Sequence, residues 1–139
     1  MMIENILIAI AVLLFISVII IDFYCSSYFK KNEESYELLL SEYKGHNFDI
    51  DIMTNYAVFF GSLVNYQKII WFVRLYKGVK MKFTKDRYVQ KEAYQFVQSL
   101  PENKIQWILK LHRLYKIQAY ITVLWLVMCG VLYILVHNQ

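Results

Sequence analysis

The side chains that could bind a metal ion in this sequence are three histidines, at positions 46, 112 and 137, and two cysteines, at positions 25 and 129. Their spacing contains neither a His-x-x-x-His nor a Cys-x-x-Cys pair, the arrangements that typically hold zinc. We expect the histidines on a loop, on a basic helix and in a polar tail, where they do not share an ion. The sequence therefore predicts no metal centre.

The motifs that activate nucleophiles or phosphates are also missing from the sequence. There is no Gly-rich phosphate loop and no Gly-x-Ser-x-Gly motif. Cys25 follows the first apolar segment and Cys129 lies inside the last one, too far apart in depth for the 7 Å or so that separates the Cα atoms of a disulfide. We expect both thiols to pack as small apolar side chains, with acylation of Cys25 as an alternative. A non-enzymatic protein without a cofactor is predicted.

One acidic side chain, Asp22, directly follows a long uncharged stretch. Acids at the edge of an apolar segment are candidates for proton or ion handling. Asp22 would lie near the inner border of a membrane, where Lys30, Lys31 or Lys116 could neutralise it. Interfacial pairing is the favoured interpretation, with contact to a partner protein or an ion role as alternatives.

Positive charge is concentrated in the second half of the chain. Residues 68–116 carry twelve basic and three acidic residues, a net charge of +9, whereas residues 30–51 carry three basic and six acidic ones, a net charge of −3. This asymmetry indicates a face turned toward something anionic. The candidate contacts for lipid or a partner protein are Trp71, Lys77, Lys80, Lys82, Lys85, Arg87, Lys91, Trp107, Lys110, Arg113 and Lys116.

Three interpretations of the basic residues remain open: a solvated surface that sets topology, attraction to anionic lipid, and nucleic-acid binding. The last is disfavoured because no recognition motif accompanies the charge, so no nucleic-acid partner is expected. The stretch "YKGVKMKF" interleaves lysines with apolar residues and fits a membrane interface best. Trp71 and Trp107 are expected to pack between helices or to anchor at an interface.

Two uncharged apolar segments, one near each end of the chain, are expected to position the candidate side chains described above. Ile6–Ile21 contains thirteen Ile, Leu, Val or Phe residues, and its insertion into a bilayer is worth roughly 4–8 kcal/mol. Extended to Tyr24, it reaches about the 20 residues that a bilayer core requires. An acid near its start and the lack of a small-residue cleavage site indicate an uncleaved anchor. Ala119–Val136, eighteen residues without a charge, is long enough for a second span.

The positions of the basic residues predict the orientation of the two spans. Lysine and arginine stay on the cytoplasmic side, and all fifteen lie between Lys30 and Lys116. Both chain ends are therefore expected outside the cytoplasm. The predicted order is a short outer N-terminus (1–5), a transmembrane helix (6–24), a basic helical cytoplasmic segment (25–118), a second transmembrane helix (119–136) and an outer C-terminus (137–139).

A third span over Tyr56–Val73 is the main alternative. Its nine Ile, Leu, Val or Phe residues contribute roughly 3–5 kcal/mol, but Lys68 in mid-span costs about 3 kcal/mol and the neighbouring amides cost more. The sum is near zero, so an interfacial or core helix is favoured.

The segment between the spans has helical periodicity. Tyr36, Leu39, Leu40 and Tyr43 share one face of a predicted helix that ends at Gly45. Residues 45–55 are predicted as a loop, and residues 66–76 as a helix apolar on nearly all sides, which must be buried or lie in lipid. Another apolar stripe follows over residues 89–100, and no β-hairpin signal is visible.

The stretch "SLPE" predicts the start of the last helix. Ser99 would be its N-cap, with Glu102 completing a capping box and Pro101 in the first turn. No helix breaker follows until Gly130. We predict one helix of about 35 residues, cytoplasmic at its start and continuous into the membrane, which completes an all-α membrane protein.

Four features resemble the universal stress protein B family of bacterial inner-membrane proteins. They are "KIIWFV" at 68–73, "SYELLLSEY" at 35–43, the charged helix that enters the last span in "KLHRLYKIQAYITVLWL", and a histidine near the C-terminus. The resemblance implies one span at each end, a basic helical middle and a link to stress tolerance. It supplies no catalytic residue.

The leading expectation is a non-enzymatic, two-span inner-membrane protein, stress-related or an accessory subunit. Its basic helical module would lie on anionic lipid or bind a protein partner or a second copy of the chain. One alternative is a membrane-active effector, or an immunity or holin-like protein. Another is a small transporter component, for which Asp22 is the only argument.

Overall fold

The computed structural model describes residues 1–138, apart from the side chains of residues 58, 62 and 63. The predicted outer tail is thus described up to Asn138, and its last residue, Gln139, lies outside the described residues. The helices are α1 (Met2–Lys31), α2 (Glu33–Gly45), α3 (Ile52–Tyr56), a 3₁₀ segment (Ala57–Val64), α4 (Asn65–Tyr76), α5 (Lys91–Gln98) and α6 (Glu102–His137). The all-helical class predicted from the sequence is confirmed.

The chain divides into two compact units. The terminal unit consists of Met1–Cys25 and the residues from Arg113 onward, and the central unit consists of Ser26–His112. In the terminal unit, α1 and α6 each supply a stretch long and apolar enough to cross a membrane. The protein itself buries 6% of the most apolar stretch of α1 and none of that of α6. The two long apolar helices predicted at the ends of the chain are confirmed.

Helix α2 begins and ends close to the residues that the pattern predicts. Tyr36, Leu39, Leu40 and Tyr43 are its buried residues, the same four that share the predicted apolar face. Acidic residues occupy its first turn, where they interact favourably with the positive end of the helix dipole. One apolar stripe was therefore sufficient to predict both the helix and its buried face.

The loop predicted over residues 45–55 is only half correct. Helix α3 begins at Ile52 because Asp51 has an extended backbone and its carboxylate accepts a hydrogen bond from the Thr54 amide, with an N···O distance of 3.3 Å. An aspartate in this position satisfies an amide that the first helical turn leaves without a partner.

Residues 56–73 do not form one continuous helix. At Gly61 the backbone has φ 65° and ψ −145°, a conformation that only glycine adopts readily, and it interrupts the helical path before α4. Helix α4 then buries apolar side chains on nearly all sides, including those of Ile69, Phe72 and Val73. This segment supplies the core of the central unit, in agreement with the favoured interpretation of the sequence.

A short hairpin-like loop between α4 and α5 was not predicted. Lys82 and Tyr88 form an isolated antiparallel bridge. Backbone hydrogen bonds from Val89 to Met81 and from Phe83 to Arg87, both with N···O distances of 2.9 Å, close the loop. We call residues 80–88 the basic hairpin.

The predicted capping box at Ser99 is wrong. Ser99 ends α5 instead: its amide donates to the carbonyl of Gln95 and its hydroxyl to the carbonyl of Phe96, both at 3.0 Å. Serine can bond either to the turn behind it or to the one ahead, and the preceding helix supplies the nearer carbonyls. Helix α6 starts at Glu102 and runs for 36 residues, which confirms the predicted long helix.

Hydrogen bonds of Tyr43 hold the core of the central unit together. Tyr43 is fully buried, and its hydroxyl donates to the carbonyl of Asp49 and accepts a hydrogen bond from Trp71 Nε1 at 3.2 Å. The Asp49 carboxylate pairs with Arg87 at 2.9 Å. One phenol thereby links α2, the following loop and α4.

Replacing Tyr43 with phenylalanine should lower the free energy of unfolding by about 1–3 kcal/mol, because it leaves the buried indole N–H of Trp71 without a partner. Thermal unfolding in detergent checks this, with Tyr56→Phe as the control since Tyr56 is exposed. A double-mutant cycle with Trp71→Phe should show coupling between the two sites. Additive effects would contradict the link.

Candidate functional site

The central unit contains a cavity of about 530 Å³ along one face of α2. Each contributing residue of α2 lies three or four positions from another one, which places them all on one side of the helix. Gly61 and Lys68 form part of the rest of the lining. The lining residues are Phe29, Glu33, Tyr36, Glu37, Leu40, Ser41, Lys44, Gly61 and Lys68.

Lys68 brings a buried cation to this cavity. The residue is 5% exposed, and its Nζ donates to the carbonyl of Gly61 at 3.1 Å and to Asn65 Oδ1 at 3.5 Å. The ammonium also lies 5.0 Å from the centroid of the Phe29 ring. Among the described residues, no carboxylate lies within 4.0 Å of Nζ. The charge is therefore held by neutral acceptors and an aromatic ring.

The electrostatics of Lys68 reflect this position. Burial lowers the pKa of its ammonium, because the charged form loses solvation, and the carboxylates of Glu33 and Glu37 act in the opposite direction. Both glutamates are exposed and line the same cavity. The cavity thus combines two accessible carboxylates with one buried ammonium.

Tyr36 supplies a second buried polar group to the cavity lining. It is 2% exposed and packs against Phe29 and Phe72, with ring centroids 5.5 and 6.1 Å apart. Its hydroxyl has no hydrogen-bond partner among the described residues. Burial raises the pKa of the phenol, with a smaller contribution of the same sign from Asp51. Tyr36 is neutral at physiological pH.

The basic residues predicted as contacts lie on the surface of the central unit around the basic hairpin. Lys77, Lys80, Lys82, Lys85, Arg87 and Lys91 are all exposed. Exposed aromatic rings lie among them: Lys80 Nζ is 4.6 Å and Lys82 Nζ 5.5 Å from the ring centroid of Tyr88. The guanidinium of Arg87 lies 5.0 Å from the Phe83 ring centroid. Four of the six basic residues lie on the basic hairpin, and Lys77 and Lys91 flank it at the end of α4 and the start of α5.

The remaining predicted contacts are distributed differently. Lys110, Arg113 and Lys116 are exposed on α6, and Lys110 Nζ lies 5.0 Å from the Tyr28 ring centroid. Trp71 and Trp107 are 4% and 6% exposed, so both indoles pack inside the central unit and neither offers a surface to lipid.

Asp22 is exposed within the terminal unit. Its Oδ1 accepts a hydrogen bond from Gln118 Nε2 at 3.4 Å. The partner that the structure provides is thus an amide, where the sequence suggested a cation. Among the described residues, no lysine or arginine lies within 4.0 Å of the Asp22 carboxylate.

The described residues contain no cluster of three or more His, Cys, Asp or Glu placed to hold a metal ion. His46 stacks on Phe48, with ring centroids 5.2 Å apart, and His112 stacks on Tyr66 at 6.0 Å. Both cysteines are free thiols.

Sequence reasoning missed the cavity. Lys68 entered the sequence analysis only as a cost to membrane insertion. The sequence did contain a signal for this site. A lysine in a helix that is apolar on nearly all sides is expected to be buried together with its charge. The packing of α2 against α4, the helix that carries this lysine, could not be predicted from local patterns.

Comparison of the chain with protein-family models, curated proteins and solved structures finds no match. The resemblance to the universal stress protein B family stays a prediction.

The buried lysine predicts a specific pH dependence of stability. Since the pKa of Lys68 is lowered in the folded chain, the unfolded chain binds more protons between that lowered pKa and about pH 10.5, and stability should rise with pH across this interval by at most about 1.4 kcal/mol per pH unit. Above about pH 10 stability should fall, because burial raises the pKa of Tyr43 to about 12 and only the unfolded chain releases that proton.

Lys68→Met should remove the rising part of this profile and keep the falling part. Thermal unfolding in detergent between pH 8 and pH 12 measures both. Arg74→Met, an exposed cation on the same helix, is the matched control and should keep the full profile. A rising part that persists in Lys68→Met would show that another group is responsible.

Proposed function

We propose that this chain is a non-enzymatic, two-span protein of a bacterial inner membrane whose central unit is a cytoplasmic module for contact with lipid and a protein partner. The observation that carries the proposal is the uncovered apolar surface of α1 and α6. Within their most apolar stretches, 6% and none of the residues are buried by the protein. A soluble chain would bury such helices in its own core.

Helical geometry makes these two segments suitable for a bilayer. Each satisfies its backbone hydrogen bonds internally, which a spanning segment requires because lipid offers no donors or acceptors. The ring contact between Phe15 and Trp125, with centroids 5.4 Å apart, brings side chains of the two helices together within the terminal unit. Two helices in contact are a sufficient anchor for a small module.

The basic residues support a cytoplasmic central unit. All fifteen lysines and arginines lie between the two apolar stretches, and the positive-inside rule retains such segments in the cytoplasm. Both chain ends then face away from the cytoplasm.

The basic hairpin is the part of the module best suited to anionic lipid. Each lysine or arginine near an anionic membrane surface is worth about 1 kcal/mol, and the hairpin carries Lys80, Lys82 and Lys85 besides Arg87, which is paired with Asp49. Tyr88 and Phe83 are 49% and 38% exposed, and aromatic rings favour the interfacial layer. Charge would orient the module, and the rings would hold it at the headgroups.

A role as an accessory or stress-related subunit completes the proposal. Most of the apolar surface of α1 and α6 stays available to a membrane partner or a second copy of this chain. The sequence resemblance to the universal stress protein B family supports the link to stress.

Reporter fusions test the proposed topology. An alkaline-phosphatase reporter, which needs the periplasm, should be active when fused to either chain end and inactive after residue 90. A cytoplasmic fluorescent reporter should give the reverse pattern. Cytoplasmic activity at either end would contradict the proposal.

Hydrogen exchange in lipid nanodiscs tests the role of the basic hairpin. The amides of residues 80–88 should be protected at least threefold more in phosphatidylglycerol than in phosphatidylcholine, and 0.5 M salt should remove the difference by screening. A triple Lys80→Gln, Lys82→Gln, Lys85→Gln variant should lose the effect. Gln substitutions of Lys31, Arg74 and Lys104, exposed cations elsewhere, should keep it. Equal protection in both lipids would contradict lipid contact.

A further inference from the structure

We propose that the cavity of the central unit binds an alkylammonium phosphate zwitterion of the phosphoethanolamine type. The phosphate would pair with the buried ammonium of Lys68, and the ligand's ammonium with the carboxylates of Glu33 and Glu37. This inference rests on the proposed function for one of its two ligand sources, a membrane lipid headgroup. The other source is a free phosphoethanolamine ester.

Lys68 supplies the anionic subsite. Its ammonium is buried and contacts a backbone carbonyl, an amide oxygen and an aromatic ring, but no carboxylate within 4.0 Å among the described residues. Buried charges are normally paired with an opposite charge. The two neutral acceptors take two of its three N–H groups, which leaves one donor without a hydrogen-bond acceptor among the described residues. A phosphate at the cavity wall would provide the missing anion.

Glu33 and Glu37 supply the cationic subsite. They lie four residues apart on α2, so their carboxylates are neighbours on one helix face, and both line the cavity. Neither forms an ion pair within 4.0 Å with any described lysine or arginine. Two adjacent carboxylates repel each other, and a primary ammonium that donates to both would relieve this repulsion.

The composition of the lining favours a zwitterion over a simple anion or cation. Two carboxylates and two ammonium groups, those of Lys44 and Lys68, give the lining a net charge of zero. A simple anion would meet the two glutamates, and a simple cation would meet the buried lysine. A ligand with both charges matches both subsites.

The second buried polar group and the apolar walls fit the same ligand. The Tyr36 hydroxyl lacks a hydrogen-bond partner among the described residues. Because Tyr36 lines the cavity, its phenol would be a further hydrogen-bond donor for a phosphate oxygen. Phe29 and Leu40 offer apolar surface to methylene and glycerol groups. A volume of about 530 Å³ lies within the range of small-molecule sites.

The position of the cavity in the sequence makes a lipid headgroup a natural ligand. Phe29 follows Tyr24, the last residue of the predicted first span, by five residues. Even a fully extended chain spans at most about 18 Å over that interval, and the headgroup layer begins where the hydrocarbon ends. Phosphoethanolamine lipid is therefore within reach of this wall of the cavity.

Calorimetric titration of the full chain in maltoside detergent tests the inference. The probes are dihexanoyl phosphatidylethanolamine, the phosphatidylcholine and phosphatidylglycerol with the same chains, and glycerophosphoethanolamine. We expect saturable binding of the ethanolamine lipid, and at least tenfold weaker binding of the other two lipids. Choline cannot donate hydrogen bonds from its nitrogen, and phosphatidylglycerol has no ammonium.

Variants separate the two subsites. Lys68→Met and the double Glu33→Gln, Glu37→Gln variant should each weaken binding of the ethanolamine lipid at least tenfold. Arg74→Met, on the same helix as Lys68 but exposed, should bind as the wild type does. Each variant is first checked for a wild-type far-UV spectrum. If one fails to fold, the discrimination among the three lipids by the wild-type chain still decides the matter.

The outcomes assign the ligand source or overturn the proposal. Binding of glycerophosphoethanolamine as tight as that of the lipid assigns a free ester, whereas binding of the lipid alone assigns a headgroup. Absence of saturable binding, equal affinity for phosphatidylglycerol, or unchanged affinity in folded Lys68→Met overturns the inference. The topology reporters are independent of these titrations, so failure of the cavity proposal and failure of the two-span proposal give different results.

Discussion

Apolar side chains that the protein does not cover are the constraint on which the rest of this structure depends. Over the most apolar stretches of α1 and α6, the chain buries almost nothing, so residues such as Leu13, Phe23 and Leu126 stay exposed. Each fully exposed side chain of this size costs about 1.5–3 kcal/mol in water. Summed over both helices, the cost exceeds the stability of a typical domain. The surroundings of the terminal unit must supply the missing apolar contacts.

The central unit differs from the terminal unit, because its core contains polar side chains that require hydrogen-bond partners. Its core joins Tyr43, Trp71 and Asp49 in one polar chain, and the carboxylate of that chain ends in an ion pair with Arg87. Lys68 is the exception. It is buried without a carboxylate partner among the described residues, a costly arrangement that a ligand would offset.

Local patterns predicted the long elements well and the junctions poorly. The apolar faces of α2 and the extent of α6 follow from helical periodicity, a property of short sequence windows. Ser99 was assigned to the wrong helix and the cap at Asp51 was not predicted, because the sequence does not say which carbonyls or amides lie near a polar side chain. The basic hairpin is closed by local backbone hydrogen bonds, but its sequence has no turn signal, and the Lys68 cavity depends on contacts between distant segments. A lone buried lysine was the only local trace of that cavity.

Extraction of isolated membranes at alkaline pH tests the central claim most directly. Carbonate at about pH 11.5 releases peripheral proteins and leaves proteins with spanning helices in the lipid, because their apolar surface still has no better solvent. The account predicts that the full chain stays in the membrane pellet and that detergent alone releases it. Recovery of the chain in the soluble fraction after lysis without detergent would contradict it.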